Sequence, residues 1–166
     1  MSREELRKEL DYKEKEEQIV RFLESEDNAI MVLATSHNDR VLARSVLIVS
    51  NGLDIYFFTW EHSRKCLQIQ KNPRIALCKD NVQIEGVAEI LGNLLGESNK
   101  EYTDIIRNKH PGAIESWKDQ PGMVIARVRP TLIITGVSID NEPYLEFLDL
   151  ENETAYAERW GRRAYY

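Results

Sequence analysis

Short apolar runs alternate with polar turns along the chain between residues 29 and 93. AIMVLATS, VLARSVLIVS and LDIYFFTW are separated by HNDR and SNG, and RIALCKD and VQIEGVAEIL follow, with Asp80 and Asn81 as the turn between them. Runs of this kind, rich in β-branched and aromatic residues and bounded by Asn, Asp, Ser and Gly, are typical of strands joined by hairpins. The pattern predicts three antiparallel strands, a short helical interruption and two further strands.

The second half of the chain adds helical pieces and more strands. Residues 97–118 have helical spacing, and Pro111 and Gly112 divide them in two. GMVIARVRPTLIIT is apolar with a break expected at Pro130, and PYLEFLDL is expected to be the last strand before the tail AYAERWGRRAYY. Helices are too few to alternate with strands as in parallel α/β folds. The pattern therefore indicates an α+β fold that is mainly antiparallel β, built around a closed or partly closed barrel.

The N-terminal segment is dominated by charged residues. Between Arg3 and Glu26 the apolar residues at loose helical intervals are Leu6, Leu10, Ile19, Val20, Phe22 and Leu23. We expect a charged N-terminal helix over about residues 3–26, with the better half from Glu16. The first half has a thin apolar stripe, which is typical of a solvated face or of a segment that lies across a partner subunit.

Length and charge restrict the class of protein. The 166 residues are expected to form one domain, residues 1–166, and the net charge of -6 argues against binding to nucleic acid or anionic membranes. The longest apolar run, AIMVLA, is far too short to cross a bilayer, and the charged MSREELRKEL lacks the apolar stretch of a signal peptide. A cytoplasmic protein is expected, in which Cys66 and Cys78 are core residues in a reducing compartment.

Two cations follow Ser63 in FFTWEHSRKCLQIQKNPRIAL, at the start of the short predicted helix. A helix N-terminus carries partial positive charge, so Arg64 and Lys65 are unfavourable there unless an anion is bound. As N-cap, Ser63 would add its side chain to the free N–H groups of the first turn, an arrangement that favours an oxyanion such as a terminal phosphate. Arg44, in the apolar second strand, is a third cation, which faces either solvent or this site.

The histidines and carboxylates are not arranged for other chemistry. His37, His62 and His110 are scattered over predicted turns and helix ends, without metal-ligand spacing and without a nucleophile that would complete a triad. Glu85 and Glu89 are expected to face water from one strand. We predict no metal site and no hydrolase, and we assign no catalytic residue.

Three segments carry a resemblance to a known family. ARSVLIV, IYFFTWEHSRKCLQIQKNPRIAL and VQIEGVAEI, in this order and spacing, resemble the FMN-binding split-barrel proteins related to pyridoxamine 5'-phosphate oxidase, over roughly residues 16–130. The Ser-Arg-Lys, the NPR that opens the next strand and the Gln of the following strand are part of the match. The resemblance implies a split β-barrel with flanking helices, FMN as cofactor, and a homodimer with FMN at the subunit interface.

The resemblance also implies a set of cofactor-binding residues. These are Arg44, Ser63, Arg64 and Lys65 at the phosphate; Ser45, Val46 and Leu47, through their backbone, at the ring edge; Phe58, Thr59 and Gln83 beside the flavin; and Trp117 and Gln120 from the second subunit. A tryptophan at the end of an amphipathic helix is also typical of core packing, so the role of Trp117 is open.

Departures from the oxidase restrict the function. Val49 stands where the oxidase has a substrate-binding lysine, and the tail from Trp160 to Ala164 lacks the oxidase's Arg-Leu-His. These differences argue against oxidation of pyridoxamine phosphate. The leading hypothesis is an FMN-dependent oxidoreductase that acts on an unidentified small molecule. The alternatives are a non-catalytic flavin store or redox sensor, a deazaflavin-binding protein, and a haem-binding relative with His62 as axial ligand.

Overall fold

The apolar runs form one antiparallel sheet in the computed structural model, which describes residues 7–160. Its ten strands are β1 (Arg7–Leu10), β2 (Ile30–His37), β3 (Arg40–Leu47), β4 (Val49–Asn51), β5 (Asp54–Trp60), β6 (Arg74–Lys79), β7 (Val82–Asn93), β8 (Met123–Ile139), β9 (Glu142–Asp149) and β10 (Thr154–Arg159). The same residues form the α-helices α1 (Tyr12–Glu24), α2 (Arg64–Lys71), α3 (Lys100–Lys109) and α4 (Pro111–Trp117). α3 and α4 are the two expected helical pieces, but Pro111 and Gly112 form the first turn of α4, and the break lies at His110. Within this range no helix combines the length and the hydropathy needed to span a membrane.

The long strand β8 joins two parts of the sheet. Neighbouring strands follow the order β1-β10-β9-β8-β7-β6-β2-β3, while β5 pairs with β4 and with β8. Residues 123–128 of β8 pair with β5, whereas residues 132–139 pair with β9. Along the same edge, β8 therefore pairs first with β5 and then with β9. The architecture confirms the predicted fold class, a mainly antiparallel split barrel with flanking helices.

A β-bulge lets β8 continue through Pro130. The register between β7 and β8 shifts between Glu85 and Gly86, and Pro130 stands opposite Gly86. Proline donates no ladder hydrogen bond, so within a sheet it is tolerated at bulges and edges. A Cβ on Gly86 would lie 2.7 Å from the Arg129 carbonyl oxygen, so the two strands approach closely here. The break expected at Pro130 is therefore wrong, and β8 is one strand of 17 residues.

Two clusters of buried apolar side chains stabilise the fold. The larger covers the inner face of the sheet and includes Ile19 and Leu23 of α1 and Ile69 of α2. The smaller lies between the sheet and helices α3 and α4, and its members are Val49, Tyr56, Leu94, Ile106, Ile114, Met123 and Ile125. β5 contributes to both clusters, with Phe57 in the larger and Tyr56 in the smaller. Burial on both faces explains why DIYFFTW is apolar without alternation.

The charged N-terminal segment is a strand followed by a helix, which corrects the single helix expected over residues 3–26. β1 pairs with β10, and α1 begins only at Tyr12, where the Asp11 side chain accepts a hydrogen bond from the Glu14 N–H at 2.8 Å. A capping aspartate fixes the start of a helix, and the edge of β10 offers the preceding residues a partner strand. α1 ends at Glu24. Residues 3–6 of the expected helix lie outside the described part of the chain.

Two other runs are divided differently from the prediction. VLARSVLIVS forms β3 and β4, which are separated at Ile48, whose N–H donates to the Ala29 carbonyl at 2.7 Å. PYLEFLDL is not the last strand, because TAYAER returns beside β9 as β10. Two buried alanines alternate with less buried residues in TAYAER, a pattern with the period of a strand. The turn between β9 and β10 is stabilised by the Asp149 side chain, which accepts hydrogen bonds from the N–H groups of Glu151 and Asn152.

Candidate cofactor site

Helix α2 starts at the Ser-Arg-Lys sequence, as predicted. Ser63 has extended backbone dihedral angles, and its Oγ accepts a hydrogen bond from the Cys66 N–H at 3.3 Å, so Ser63 is the N-cap. A hydrogen bond from the Ser63 N–H to the Trp60 carbonyl ties the cap to the end of β5. The first turn of α2 contains no acidic residue. The helix N-terminus therefore presents N–H groups and partial positive charge without a carboxylate in that turn.

The side chain of Lys65 returns to the end of β5. Its Nζ donates a hydrogen bond to Thr59 Oγ1 at 3.0 Å, and Thr59 Oγ1 lies 3.1 Å from Ser63 Oγ. Thr59 is buried and Lys65 is half-buried. Burial lowers the pKa of Lys65, and the positive charge of Arg44 lowers it further. The ammonium group thus has a neutral hydroxyl partner and a like charge nearby.

Arg44 is held on the side of the sheet that α2 covers. Its Nη1 donates hydrogen bonds to Thr35 Oγ1 at 2.7 Å and to the Leu33 carbonyl at 3.3 Å. The buried Thr35 hydroxyl bonds in turn to Oε1 of Gln68, a buried residue of α2. Burial lowers the pKa of Arg44. The sequence left open whether Arg44 faces solvent or the predicted anion site. The structure places its side chain half-buried, on the side of the sheet that α2 covers.

Within residues 7–160, no carboxylate forms an ion pair with these cations. Among the ion pairs formed by the described residues, none includes Arg44, Arg64 or Lys65. Arg64, the first residue of α2, is exposed, whereas Arg44 and Lys65 are half-buried. Partly desolvated like charges are unfavourable unless a counter-ion is present. We call the group of Arg44, Thr59, Ser63 and Lys65 the cationic cradle.

Ser45 and Gln83 lie on the outer face of the sheet, opposite the larger core. Ser45 pairs with Val32, Val32 with Cys78, and Cys78 with Gln83, so these residues form one row across β3, β2, β6 and β7. All of these side chains are exposed. At a strand spacing of about 4.8 Å, Ser45 and Gln83 are roughly 14 Å apart. Two residues expected at the cofactor thus share one face of the sheet.

β3 is an edge strand in the described part of the chain. It pairs with β2 on one side and ends the order of strands on the other. Backbone N–H and C=O groups that point to the free side of an edge strand are not used by a neighbouring strand. The side chain of Val46 is buried in the larger core. A ligand beside β3 would therefore meet backbone groups of residues 45–47, not the Val46 side chain.

Three other residues of the expected set lie elsewhere. Phe58 packs against the smaller core, on the opposite face of β5 from Thr59. Trp117 is 39% exposed at the end of α4 and meets Trp60 edge to face, with ring centroids 5.9 Å apart. Gln120 is exposed in the turn after α4. Trp117 is therefore not a core residue, while its expected contact with a second subunit stays a prediction.

The two cysteines and His62 differ in their surroundings. Cys66 is buried, as expected, and burial raises the pKa of its thiol. Cys78 is exposed, which corrects the expectation of a core position, because the register of β6 turns it to the outer face. The His62 side chain is 88% exposed, and its Nε2 lies 3.3 Å from Glu61 Oε1.

Sequence reasoning missed Thr35 and Gln68. Both are buried polar residues, at 2% and 8% exposure, and together they connect Arg44 to α2. A partial signal was present, because Thr35 occupies a core-facing position of β2 and Gln68 lies one turn after Arg64. Their contact spans 33 residues of sequence, however, and depends on how α2 packs on β2.

A family model described as pyridoxamine 5'-phosphate oxidase matches residues 16–135 of the chain. A search of curated proteins with this chain finds no match. The matched region contains every residue of the cationic cradle and both ends of the outer-face row. It ends within β8, so β9 and β10 lie beyond it.

Solved structures share the fold at low sequence identity. ChuZ from Campylobacter jejuni superposes with a TM-score of 0.72 at 14% identity, over 95% of this chain and 68% of that chain. A FAD-binding protein from Mesorhizobium loti has a TM-score of 0.55 at 13% identity, over 92% and 98% of the two chains. HutZ from Vibrio cholerae, described as a haem storage protein, has a TM-score of 0.56 at 12% identity, over 73% and 91%.

Proposed function

The chain belongs to the pyridoxamine 5'-phosphate oxidase family, and we propose that it binds FMN and uses it to oxidise or reduce a small molecule. The observation that carries the proposal is the cationic cradle, where half-buried Arg44 and Lys65 lie near each other and neither forms an ion pair with a carboxylate of the described residues. Proteins that share the fold include one named for FAD and one named for haem. A dianionic phosphate matches two cations and a helix N-terminus in charge, which favours a phosphorylated flavin.

The residues present fit the FMN phosphate. Lys65 and Arg44 would each give it a charge-assisted hydrogen bond, worth about 1.5 to 3 kcal/mol, and the N-terminus of α2 about 0.3 to 1 kcal/mol. Arg64 would contribute less, because an exposed charge is screened by water and salt. Thr35 and Gln68 would act through Arg44 by holding its guanidinium in place.

The remaining residues of the set would position the ring. Backbone groups of residues 45–47 would lie at its edge, since β3 is an edge strand, and the Gln83 side chain would approach it from the outer face. Bound FMN supplies a ring system that accepts and donates electrons. The protein's part is to orient the ring, to fix the phosphate and to exclude water. No side chain is assigned a role in proton transfer.

We propose that FMN lies at the interface of a homodimer. The outer face of β2 and β3 exposes large apolar side chains, with Ile30 at 50%, Val32 at 44% and Val41 at 68%. Ala34, Ala43 and Ala76 oppose one another on the same face, which leaves it flat. An exposed apolar sheet face next to an edge strand is typical of an interaction surface. Trp117 and Gln120 would reach the cofactor of the second subunit.

The substrate is proposed to differ from pyridoxamine phosphate. Val49, which replaces the oxidase's substrate-binding lysine, is 2% exposed and packs in the smaller core. A buried valine offers a substrate neither charge nor a hydrogen bond. The tail that lacks the Arg-Leu-His falls largely in residues 161–166, outside the described part of the chain. Redox chemistry on another small molecule is the function that fits these residues.

FMN titration of the wild type and the Lys65→Met variant tests the phosphate assignment. Loss of one charge-assisted contact is expected to raise the Kd for FMN at least about tenfold. Lys71→Met, which removes an exposed lysine from the last turn of the same helix, is the matched control and should leave the Kd within about twofold. Equal affinity of the wild type and Lys65→Met would remove FMN phosphate from the cradle.

The absorbance spectrum of the purified protein separates the flavin and haem hypotheses. Flavin bands that co-elute with the protein support the proposal, whereas a Soret band would favour haem. The haem hypothesis relies on His62, whose side chain is exposed beside Glu61. Loss of a Soret band in His62→Ala would support that assignment. A flavin-loaded protein that turns over no compound in a redox screen would indicate a flavin store or sensor.

A further inference from the structure

A separate cavity lies beneath α1. It has a volume of about 330 Å³, is lined by α1 and by residues of β7, β8 and β9, and is partly open to solvent. Its apolar lining comprises Ile19, Phe22, Val82, Ile133, Val137, Phe147 and Leu148. Its lining residue Ile133 aligns through Ile84, Leu77 and Leu33 with Arg44 of the cationic cradle, four strands away. At a strand spacing of about 4.8 Å, Ile133 and Arg44 are roughly 19 Å apart along the sheet.

An ion pair borders the polar side of this cavity. Lys15 Nζ lies 2.7 Å from Glu146 Oε2 and donates a second hydrogen bond to Gln18 Oε1 at 3.0 Å. The Lys15 and Glu146 side chains are only 19% and 15% exposed. The charges of Lys15 and Glu146 thus neutralise each other where both side chains are partly shielded from water. Gln18 and Thr135 add neutral hydrogen-bonding groups to the lining.

We propose that this cavity is a second binding site, for a small uncharged molecule with an apolar body and one polar end. Its volume lies at the lower end of the range of small-molecule pockets, about 300 to 1,000 Å³, and its walls are mainly aliphatic and aromatic as in such pockets. A charged ligand would have to break the Lys15–Glu146 pair and leave one half-buried charge without a partner. A neutral ligand buries its body without that cost. This proposal does not depend on FMN binding.

Two fluorescent probes that share a skeleton test the site and its charge preference. N-phenyl-1-naphthylamine is neutral and apolar with one N–H group, and 8-anilinonaphthalene-1-sulfonate adds a sulfonate. Each is titrated into the purified full-length protein. We expect saturable binding of the neutral probe, one per chain, with at least about fivefold higher affinity than the sulfonate, because only the sulfonate disturbs the ion pair.

Substitutions on β8 locate the bound probe. Val137→Trp fills the cavity from its wall and is expected to weaken neutral-probe binding at least about tenfold. Ser138→Trp, on the next residue, which is exposed, is the matched control and should not change it. An unchanged melting temperature and an unchanged far-UV circular dichroism spectrum show that each variant is folded. Absence of saturable binding, equal affinity for both probes, or binding that Val137→Trp leaves unchanged would overturn the proposal.

Discussion

At the scale of single residues, Lys65 is a cation whose surroundings oppose its charge. Burial and then Arg44 lower its pKa, while its hydrogen-bond partner Thr59 is neutral. In an unfolded chain the pKa of a lysine is about 10.4. Between the lowered pKa of the folded protein and that value, the unfolded chain binds more protons than the folded one. Stability of the FMN-free protein due to Lys65 therefore rises with pH through this window and falls as pH decreases through the folded pKa.

This linkage predicts a pH-dependent effect of Lys65→Met. In FMN-free protein, the difference in free energy of unfolding between wild type and variant should shift in favour of the wild type as the pH rises toward the ordinary lysine pKa of about 10.4. Urea denaturation at constant ionic strength measures it, with Lys71→Met as the control for loss of a lysine. Saturating FMN should weaken or reverse the trend, because a bound phosphate stabilises the charged amine. A difference that is constant with pH would contradict the desolvated state of Lys65.

At the scale of elements, the β-bulge between β7 and β8 decides the path of the longest strand. The bulge at Gly86 accommodates Pro130, and β8 can then pair with β9 beyond it and with β5 before it. A Cβ at position 86 would lie 2.7 Å from the Arg129 carbonyl oxygen and 3.0 Å from Val128 Cγ1. Both neighbours belong to β8, so relief of the contact would separate the strands.

Gly86→Ala is therefore expected to destabilise the protein by about 1 to 3 kcal/mol, a range typical of overpacked sites. Thermal unfolding should show a decrease in Tm of about 2 to 4 °C for each kcal/mol at this chain length. Gly136→Ala on β8 is the control, because the nearest atom to its Cβ would be 3.8 Å away. It should stay within about 1 kcal/mol of the wild type. Similar Tm values for the two variants would mean that the strands at Gly86 adjust without strain.

At the scale of the whole molecule, the outer face is the surface that the single chain leaves apolar. Val32 lies at its centre, exposed between Ser45 and Cys78 in the row that ends at Gln83. If two chains meet on this face, the interface and the ring site coincide. Dimerisation and FMN affinity would then depend on the same residues. The cytoplasmic location expected from the sequence stays a prediction.

Val32→Glu is expected to give a monomer and to weaken FMN binding at least about tenfold, because a carboxylate in an apolar interface is costly to desolvate. Light scattering with flavin detection measures mass and cofactor together. Leu95→Glu is the matched control, since Leu95 is 48% exposed but lies after β7, away from the outer face of β2 and β3. A Val32→Glu variant that remains a dimer with bound FMN would place the interface elsewhere.

Part of the site could be predicted because its residues are close in sequence. Ser63, Arg64 and Lys65 are consecutive, and an N-cap with two cations after it indicates an anion without knowledge of the fold. The environment of Arg44 could not be predicted in this way. Alternation along β3 allows either face. The register of β2 and β3 brings Thr35 to the guanidinium, and only the packing of α2 on β2 brings Gln68 to Thr35.

The sequence by itself determined the antiparallel class of the fold, most strand positions and the helix start at Ser63, because periodicity, turn residues and caps act over a few neighbouring residues. Tertiary structure decided that residues 7–10 form β1 instead of part of the expected N-terminal helix, and that β8 continues through Pro130. Both depend on a strand supplied by a distant part of the chain, β10 for β1 and β7 for β8. The same holds for the cavity beneath α1, whose walls come from four separate elements.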